Sequence, residues 1–168
     1  MNIILIGFMG TGKSIVGHLL AKELNMSFLD TDELIQKTDN RSVAEIFKQD
    51  GEAYFRELET EVIKTLQQYD NFVLSTGGGI VLREANISLL KAMGPLVLLW
   101  AEPETIYERI KNEKHRPLLR VTDPLVEIKK ILDKRAPVYN RVCDFKLDTS
   151  GLSPEQAVKE IRLWLESK

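Results

Sequence analysis

Short, wholly apolar runs alternate along this chain with longer stretches whose apolar residues recur every three or four positions. Ile3-Ile4-Leu5-Ile6, with three β-branched residues, reads as a strand buried on both faces. Val16, Leu19, Leu20 and Leu24 follow at helical spacing. Ser27-Phe28-Leu29 is a second short strand that runs into Asp30-Thr31-Asp32, and Glu33 to Lys37 reads as a brief helix. Ser42-Val43-Ala44-Glu45 has the spacing of a capping box and opens a short helix that stops at Asp50-Gly51. Phe55, Leu58, Val62 and Leu66 then mark a longer amphipathic helix.

The second half repeats the alternation. Phe72-Val73-Leu74 is a buried strand, and a helix from Ala85 to Met93 is stopped by Gly94-Pro95. Leu96-Val97-Leu98-Leu99-Trp100 is the most apolar strand of the chain. Pro103 fits the first turn of a helix that turns Ile106 and Ile110 inward. Asp123-Pro124 restarts a helix with Leu125, Ile128 and Leu132 inward, which Pro137 is expected to end or kink. Phe145-Lys146-Leu147 is the last strand, and Ser153-Pro154-Glu155-Gln156 caps a final helix with Val158, Ile161 and Leu165 inward and Trp164 at its edge. Strands alternating with helices predict an α/β fold: a parallel sheet covered on both faces, with ligands at the carboxyl ends of the strands.

Composition narrows the class. At 168 residues the chain is expected to be one domain, and its net charge of −2 argues against general nucleic-acid affinity. No polybasic run, signal peptide or membrane-length apolar stretch is visible, so a cytosolic chain is expected. A lone Cys143, expected to be a small buried residue, excludes an internal disulfide, and His18 and His115 form no metal-ligand pair.

The chemistry concentrates where strands end. Gly7-x-x-x-x-Gly12-Lys13-Ser14, between strand and helix, fits the phosphate-binding loop without a mismatch. Glycines there let successive backbone N–H groups face phosphate oxygens, aided by the positive end of the following helix. Lys13 would reach the β- and γ-phosphates and the Ser14 hydroxyl would ligate Mg²⁺. Asp30 and Asp32 suit the two carboxylate tasks of phosphoryl transfer, Asp30 on the metal side (directly or through water) and Asp32 on the substrate. Ser75 stands where a later strand might have supplied a metal carboxylate. Gly77-Gly78-Gly79 follows a buried strand, where a substrate lying on bare backbone explains it better than flexibility. Arg56, with Glu59 three residues on and able to orient it, reads by itself first as a surface pair, while Arg116 in a charged loop and Arg135 beside Pro137 read equally well as solvated charges. The stretch 111–123, with Lys111, Glu113, Lys114, His115, Arg116 and Arg120, is charged and aperiodic, like a lid.

Taken together, these residues resemble the shikimate kinases. The Gly7–Ser14 loop, Phe28-Leu29-Asp30-Thr31-Asp32, Gly51-Glu52 with Phe55-Arg56, Ser75-Thr76-Gly77-Gly78-Gly79, Arg116-Pro117-Leu118-Leu119 and Arg135-Ala136-Pro137-x-Tyr139 occur here in that family's order, over essentially the whole chain. The resemblance implies a three-layer α/β/α phosphate-loop fold with a five-stranded sheet in the order 2-3-1-4-5, substrate-binding helices about 31–60 and a mobile lid about 111–123. It implies phosphorylation of the 3-hydroxyl of shikimate by MgATP, in a monomer. Asp32, Lys13 and Arg116 would be catalytic. Gly10, Thr11, Gly12, Lys13, Ser14, Ile15, Arg109, Arg116, Leu152 and Pro154 would hold the nucleotide. Asp32, Arg56, Gly77, Gly78, Gly79 and Arg135 would hold shikimate, and Ser14 and Asp30 the Mg²⁺.

One position departs from that pattern. Ile15 stands where the family commonly carries a threonine whose hydroxyl touches the nucleotide, a hydrogen bond worth about 1–2 kcal/mol. Gluconate or nucleoside monophosphate kinases are the nearest rival reading, since their substrates also carry an anion for two arginines. A GTP-dependent switch would need an Asn-Lys-x-Asp motif, which is missing. A module that had lost catalysis would lack one of Asp32, Lys13 or Arg116, and all three are present.

Overall fold

The computed structural model describes residues 1–113 and 116–168. Five strands, β1 (Ile3–Ile6), β2 (Ser27–Asp30), β3 (Phe72–Ser75), β4 (Leu96–Trp100) and β5 (Phe145–Asp148), form one sheet in the order β2-β3-β1-β4-β5. Every pairing is parallel. The expected fold class and strand order are therefore observed.

The three central strands, β3, β1 and β4, read as nearly uniform apolar runs because both of their faces are covered, whereas the edge strands β2 and β5 carry polar residues. Alternate residues divide between two cores. Ile4, Ile6, Phe72, Leu74, Leu96 and Leu98 face one layer. Ile3, Leu5, Val73, Val97 and Leu99 face the other. The first layer is supplied by α3 (Val43–Leu66), α4 (Glu84–Met93) and α6 (Pro124–Val142), through Ile63, Leu66, Ile87, Leu90, Tyr139 and Val142. The second is supplied by α1 (Lys13–Glu23) and α7 (Pro154–Glu166), through Val16, Leu20, Ala157, Val158 and Ile161. A third cluster joins α5 (Pro103–Ile110) and α6 under Phe8 and Ala101. A small fourth one, Ile35, Ile46 and Phe55, holds α2 (Thr31–Asp39) against α3.

Three local expectations need correction. The helix after β2 begins at Thr31 rather than Glu33 and runs to Asp39, because the Asp30 carboxylate caps it by accepting from the N–H groups of Asp32 and Glu33. The break expected at Asp50-Gly51 is present: Gly51 turns the chain at φ 80° and the second helix starts at once. Pro137 does not end α6, which continues to Val142. Its ring lies on the exposed side, and burial of Tyr139 and Val142 beyond it holds the last turn in place. Cys143 is half-buried rather than buried. The caps behave more simply: Ser42 accepts from the Glu45 N–H, and Ser153 and Gln156 form the full reciprocal box. Trp164 stacks on Phe145 at the edge of α7.

Phosphate-loop and glycine-run residues thus leave the sheet side by side, β1 being flanked by β3 and β4. Among the described residues, no helix is long and apolar enough to cross a membrane. Leu98, fully buried in the central layer, sets a measurable scale for this packing. Leu98→Ala is expected to lower unfolding free energy by about 2–5 kcal/mol in urea titrations; a loss near zero would mean that this face of β4 is not core.

Candidate active site

The phosphate loop is held from within. Lys13, on the first turn of α1, donates from Nζ to the carbonyls of Gly7 and Phe8, each at 2.8 Å, and Thr11 Oγ1 donates to the Phe8 carbonyl at 2.8 Å. Gly7, Gly10 and Gly12 all adopt positive φ, and a Cβ on Gly7 would stand 2.3 Å from the Leu99 carbonyl oxygen. These constraints explain the glycines at the two fixed positions of the motif. Burial drives the Lys13 pKa down to about 8, against the opposing pull of Asp32 and Asp30.

A second set of bonds ties the loop to the far edge of the sheet. Thr149, just past β5, is buried and its hydroxyl lies 2.9 Å from the Thr11 carbonyl oxygen and 3.1 Å from that of Trp100. Arg109 on α5 donates to the Gly10 carbonyl, to Thr149 Oγ1 and to the Thr149 carbonyl. Three acceptors along its edge fix the plane of this guanidinium and leave its faces for an aromatic base. Thr149 was not anticipated from the sequence; a threonine after a strand carries no signal of its own.

Asp30 has two roles at once. One carboxylate oxygen caps α2, and the other lies 3.5 Å from Ser14 Oγ. Mg²⁺ takes few protein oxygens and keeps water and phosphate ligands. Ser14 and Asp30 fit that demand, and among the described residues no cluster of three or more His, Cys, Asp or Glu side chains offers a self-sufficient metal site.

The glycine run after β3 is where charge meets backbone. A Cβ on Gly77 would lie 2.9 Å from Glu59 Oε1 and 3.1 Å from Asp32 Oδ1. One on Gly78 would lie 3.2 Å from Arg135 Nη1, and one on Gly79 only 2.3 Å from Arg56 Nη2. Each glycine therefore leaves room for a different charged side chain. Glu59, fully buried, accepts from Arg56 Nη1 at 2.7 Å, while Glu52 takes Arg56 Nη2 at 3.1 Å. The surface-pair reading of Arg56 and Glu59 is excluded by that burial. Burial works against the Arg56 charge, but Glu59 and Glu52 outweigh it and hold its pKa above the ordinary value. The Glu59 carboxyl is pushed up by burial despite Arg56.

Asp32 Oδ1 and Glu59 Oε1 are buried and have no hydrogen-bond partner among the described residues. Burial, then the neighbouring Asp30, raises the Asp32 pKa; Lys13, Arg56 and Arg116 pull the other way. Two buried acceptors without donors are costly unless a ligand supplies the protons. Sequence reading assigned Glu59 only the orientation of Arg56, because nothing in the pattern marks a second partnerless carboxylate.

The cleft along these elements has a volume of ≈ 620 Å³ and is lined by the phosphate loop, Ile15, Asp30, Asp32, Gly77 and Gly78 on one side and Arg109, Arg116, Leu152 and Pro154 on the other. Ile15 projects with 60 % of its surface exposed. Arg56, Gly79 and Arg135 are outside that lining and adjoin it through Gly77 and Gly78. Arg116 faces the cleft in an ion pair with Glu113. Of the stretch expected to form a lid, Lys114 and His115 lie outside the described residues. Pro117–Arg120 forms a 3-10 turn.

Known proteins match this chain along nearly its full length. The family model for shikimate kinase matches residues 9–166. The shikimate kinase of Thermodesulfovibrio yellowstonii is 46% identical over 160 residues, covering 95% of this chain and 92% of that protein. The solved structure of shikimate kinase from Acinetobacter baumannii in complex with shikimate aligns with a TM-score of 0.94 at 35% identity, covering 99% of this chain and 94% of that one. The shikimate kinase structure from Aquifex aeolicus aligns with a TM-score of 0.86 at 44% identity, over 99% and 96%.

Thr149→Val, close in shape, removes the hydroxyl that joins Thr11, Trp100 and Arg109. ATP is expected to bind about 5- to 30-fold more weakly in equilibrium titrations; unchanged affinity would show that the loop does not need this tie. Because the family match and both alignments run through the phosphate loop, the glycine run and the helices carrying the arginines alike, the chain belongs to the shikimate kinase family of ATP-dependent kinases.

Proposed function

We propose that the chain works as its family does, transferring the γ-phosphoryl group of ATP to the 3-hydroxyl of shikimate, and that the residues of the cleft divide the task between an ATP half and an acid half. The observation that carries this division is the partnerless Asp32 Oδ1, buried between the glycine run and the phosphate-loop lysine.

In the ATP half, the N–H groups of Gly10, Thr11, Gly12, Lys13, Ser14 and Ile15 cradle the phosphates, and Lys13 exchanges its loop carbonyls for phosphate oxygens. Arg109, Leu152 and Pro154 wall the base. Ser14 and Asp30 would hold Mg²⁺, whose chemistry is to neutralise phosphate charge. In the acid half, Arg56 and Arg135 present forked donors to the shikimate carboxylate, and Gly77, Gly78 and Gly79 let the ring lie on backbone. Asp32 orients the attacking hydroxyl and accepts its proton as the oxygen bonds to phosphorus. A base raised above the ordinary carboxylate range accepts that proton more readily at neutral pH. Lys13 and Arg116 offset the charge on the group in transfer.

The substrate-binding helices at about 31–60 and a lid at about 111–123 would close around both ligands and exclude water, which favours transfer to the hydroxyl over hydrolysis. The reading takes the chain as a single-domain cytoplasmic monomer with small-molecule partners, consistent with its net charge of −2.

With MgATP, purified protein is expected to release ADP on addition of shikimate but not of gluconate or nucleoside monophosphates, and Asp32→Asn to lose turnover while retaining ATP binding. ADP release with gluconate and none with shikimate would overturn the assignment, and a fully active Asp32→Asn would remove Asp32 from the chemistry. A pH profile tests the charges. In the free protein Lys13 loses its proton as pH rises through about 8, and the neutral amine no longer attracts phosphate. The value of kcat/KM for ATP is therefore expected to fall above pH 8, with an acid limb above the usual carboxylate range as Asp32 is protonated. A profile flat well past pH 8 would refute the role given to the Lys13 charge.

A further inference from the structure

We propose that Tyr139 is a positioning residue for the acid half of the site: its hydroxyl fixes the direction of the glycine-run backbone beside Arg135. This rests on the reading of Gly78, Gly79 and Arg135 as shikimate contacts.

Tyr139 is 1% exposed, with its ring in the core between the sheet and α6, among residues such as Ile6, Leu74 and Leu98. A phenol buried so far needs a partner for its hydroxyl. It finds one by donating to the Gly78 carbonyl. Arg135 lies one helical turn earlier, on the same side of α6. A Cβ on Gly78 would stand 3.2 Å from Arg135 Nη1 and 3.6 Å from the Tyr139 hydroxyl oxygen, so both side chains converge on this glycine. Burial raises the Tyr139 pKa against the pull of Arg135, which keeps the proton on the donor.

The consequence follows from peptide geometry. Every peptide bond described is trans, so each N–H points away from the C=O of its own peptide plane. The Gly77 carbonyl is held by the Ile80 N–H at 3.2 Å, which sets the Gly78 N–H. The Gly78 carbonyl is held by Tyr139, which sets the Gly79 N–H. Among the described residues neither Gly78 nor Gly79 donates its N–H to a protein acceptor. Two adjacent donors are thus aimed and left available beside the arginines. The Ile80 bond is local and forms wherever a 3-10 turn follows. The Tyr139 bond crosses from another element and couples the loop to the helix that carries Arg135.

Tyr139→Phe keeps the ring in the core and deletes only the donor. The KM for shikimate is expected to rise about 5- to 30-fold, with kcat and the KM for ATP changed by less than about 2-fold. Arg135→Ala, measured alongside, is expected to raise the KM for shikimate as well, and the double variant to be little worse than Arg135→Ala alone. A raised KM in Arg135→Ala with none in Tyr139→Phe would overturn the positioning role and leave the carboxylate site standing. No effect in either variant would overturn the carboxylate site and the role of Tyr139 with it. A Tyr139→Phe chain that fails to fold, or that loses kcat and both KM values alike, would assign the hydroxyl to the fold and also overturn the proposal.

Discussion

Close approach of charge to bare backbone is the constraint on which the acid half of this site depends. Three consecutive glycines leave β3, and the space that their side chains would fill is taken by Glu59 and Asp32, by Arg135, and by Arg56. These groups come from α2, α3 and α6, three elements with no sequence proximity to the glycines. A methyl group on Gly79 alone would overlap the Arg56 guanidinium, which the buried Glu59 holds by a short ion pair. The glycines are therefore fixed by what stands opposite them. None of the three needs a positive φ.

Electrostatic balance follows from this crowding. Lys13 and Glu59 are buried and Asp32 is half-buried with its Oδ1 covered, and desolvation is the largest influence on each of them, lowering the lysine and raising both acids. Each is moved toward its neutral form, and opposite charges across the cleft restrain the movement. A buried acid and a buried base poised in this way respond strongly to a ligand that carries both hydroxyl protons and phosphate charge. Glu59 also ties the arginine to α3: with one oxygen on Arg56 and the other partnerless, it is itself half-satisfied until the site is filled.

The two halves of the site meet through the sheet. Because β1 lies between β3 and β4, the phosphate loop emerges beside the glycine run on one side and the α5 arginine on the other. Thr149 and Arg109 brace the loop from the β5 edge, and Asp30, 3.5 Å from Ser14 Oγ, faces it from the β2 edge while starting α2. A parallel sheet with ligands at its carboxyl ends makes such convergence available. The particular side chains that exploit it are scattered along the chain.

The sequence by itself determined the class of fold and the nucleotide half. Apolar runs such as Leu96–Trp100, too short for a helix and set off by Gly94-Pro95 and Pro103, read as strands covered on both faces, and the Gly7–Ser14 loop carries its function in its own backbone geometry. Both signals are local, which is why they were legible. Asp32 and the glycine run were legible as substrate-side groups from their places after strands, and resemblance extended the reading to Arg56 and Arg135 by order and spacing. Tertiary structure alone decided that Glu59 is buried against Arg56, that Thr149 holds the loop, that Tyr139 sets the Gly78 peptide and that α6 passes through Pro137. A glutamate three residues from an arginine looks the same in one dimension whether it faces water or the core. Its burial is set by elements that meet only in the folded chain.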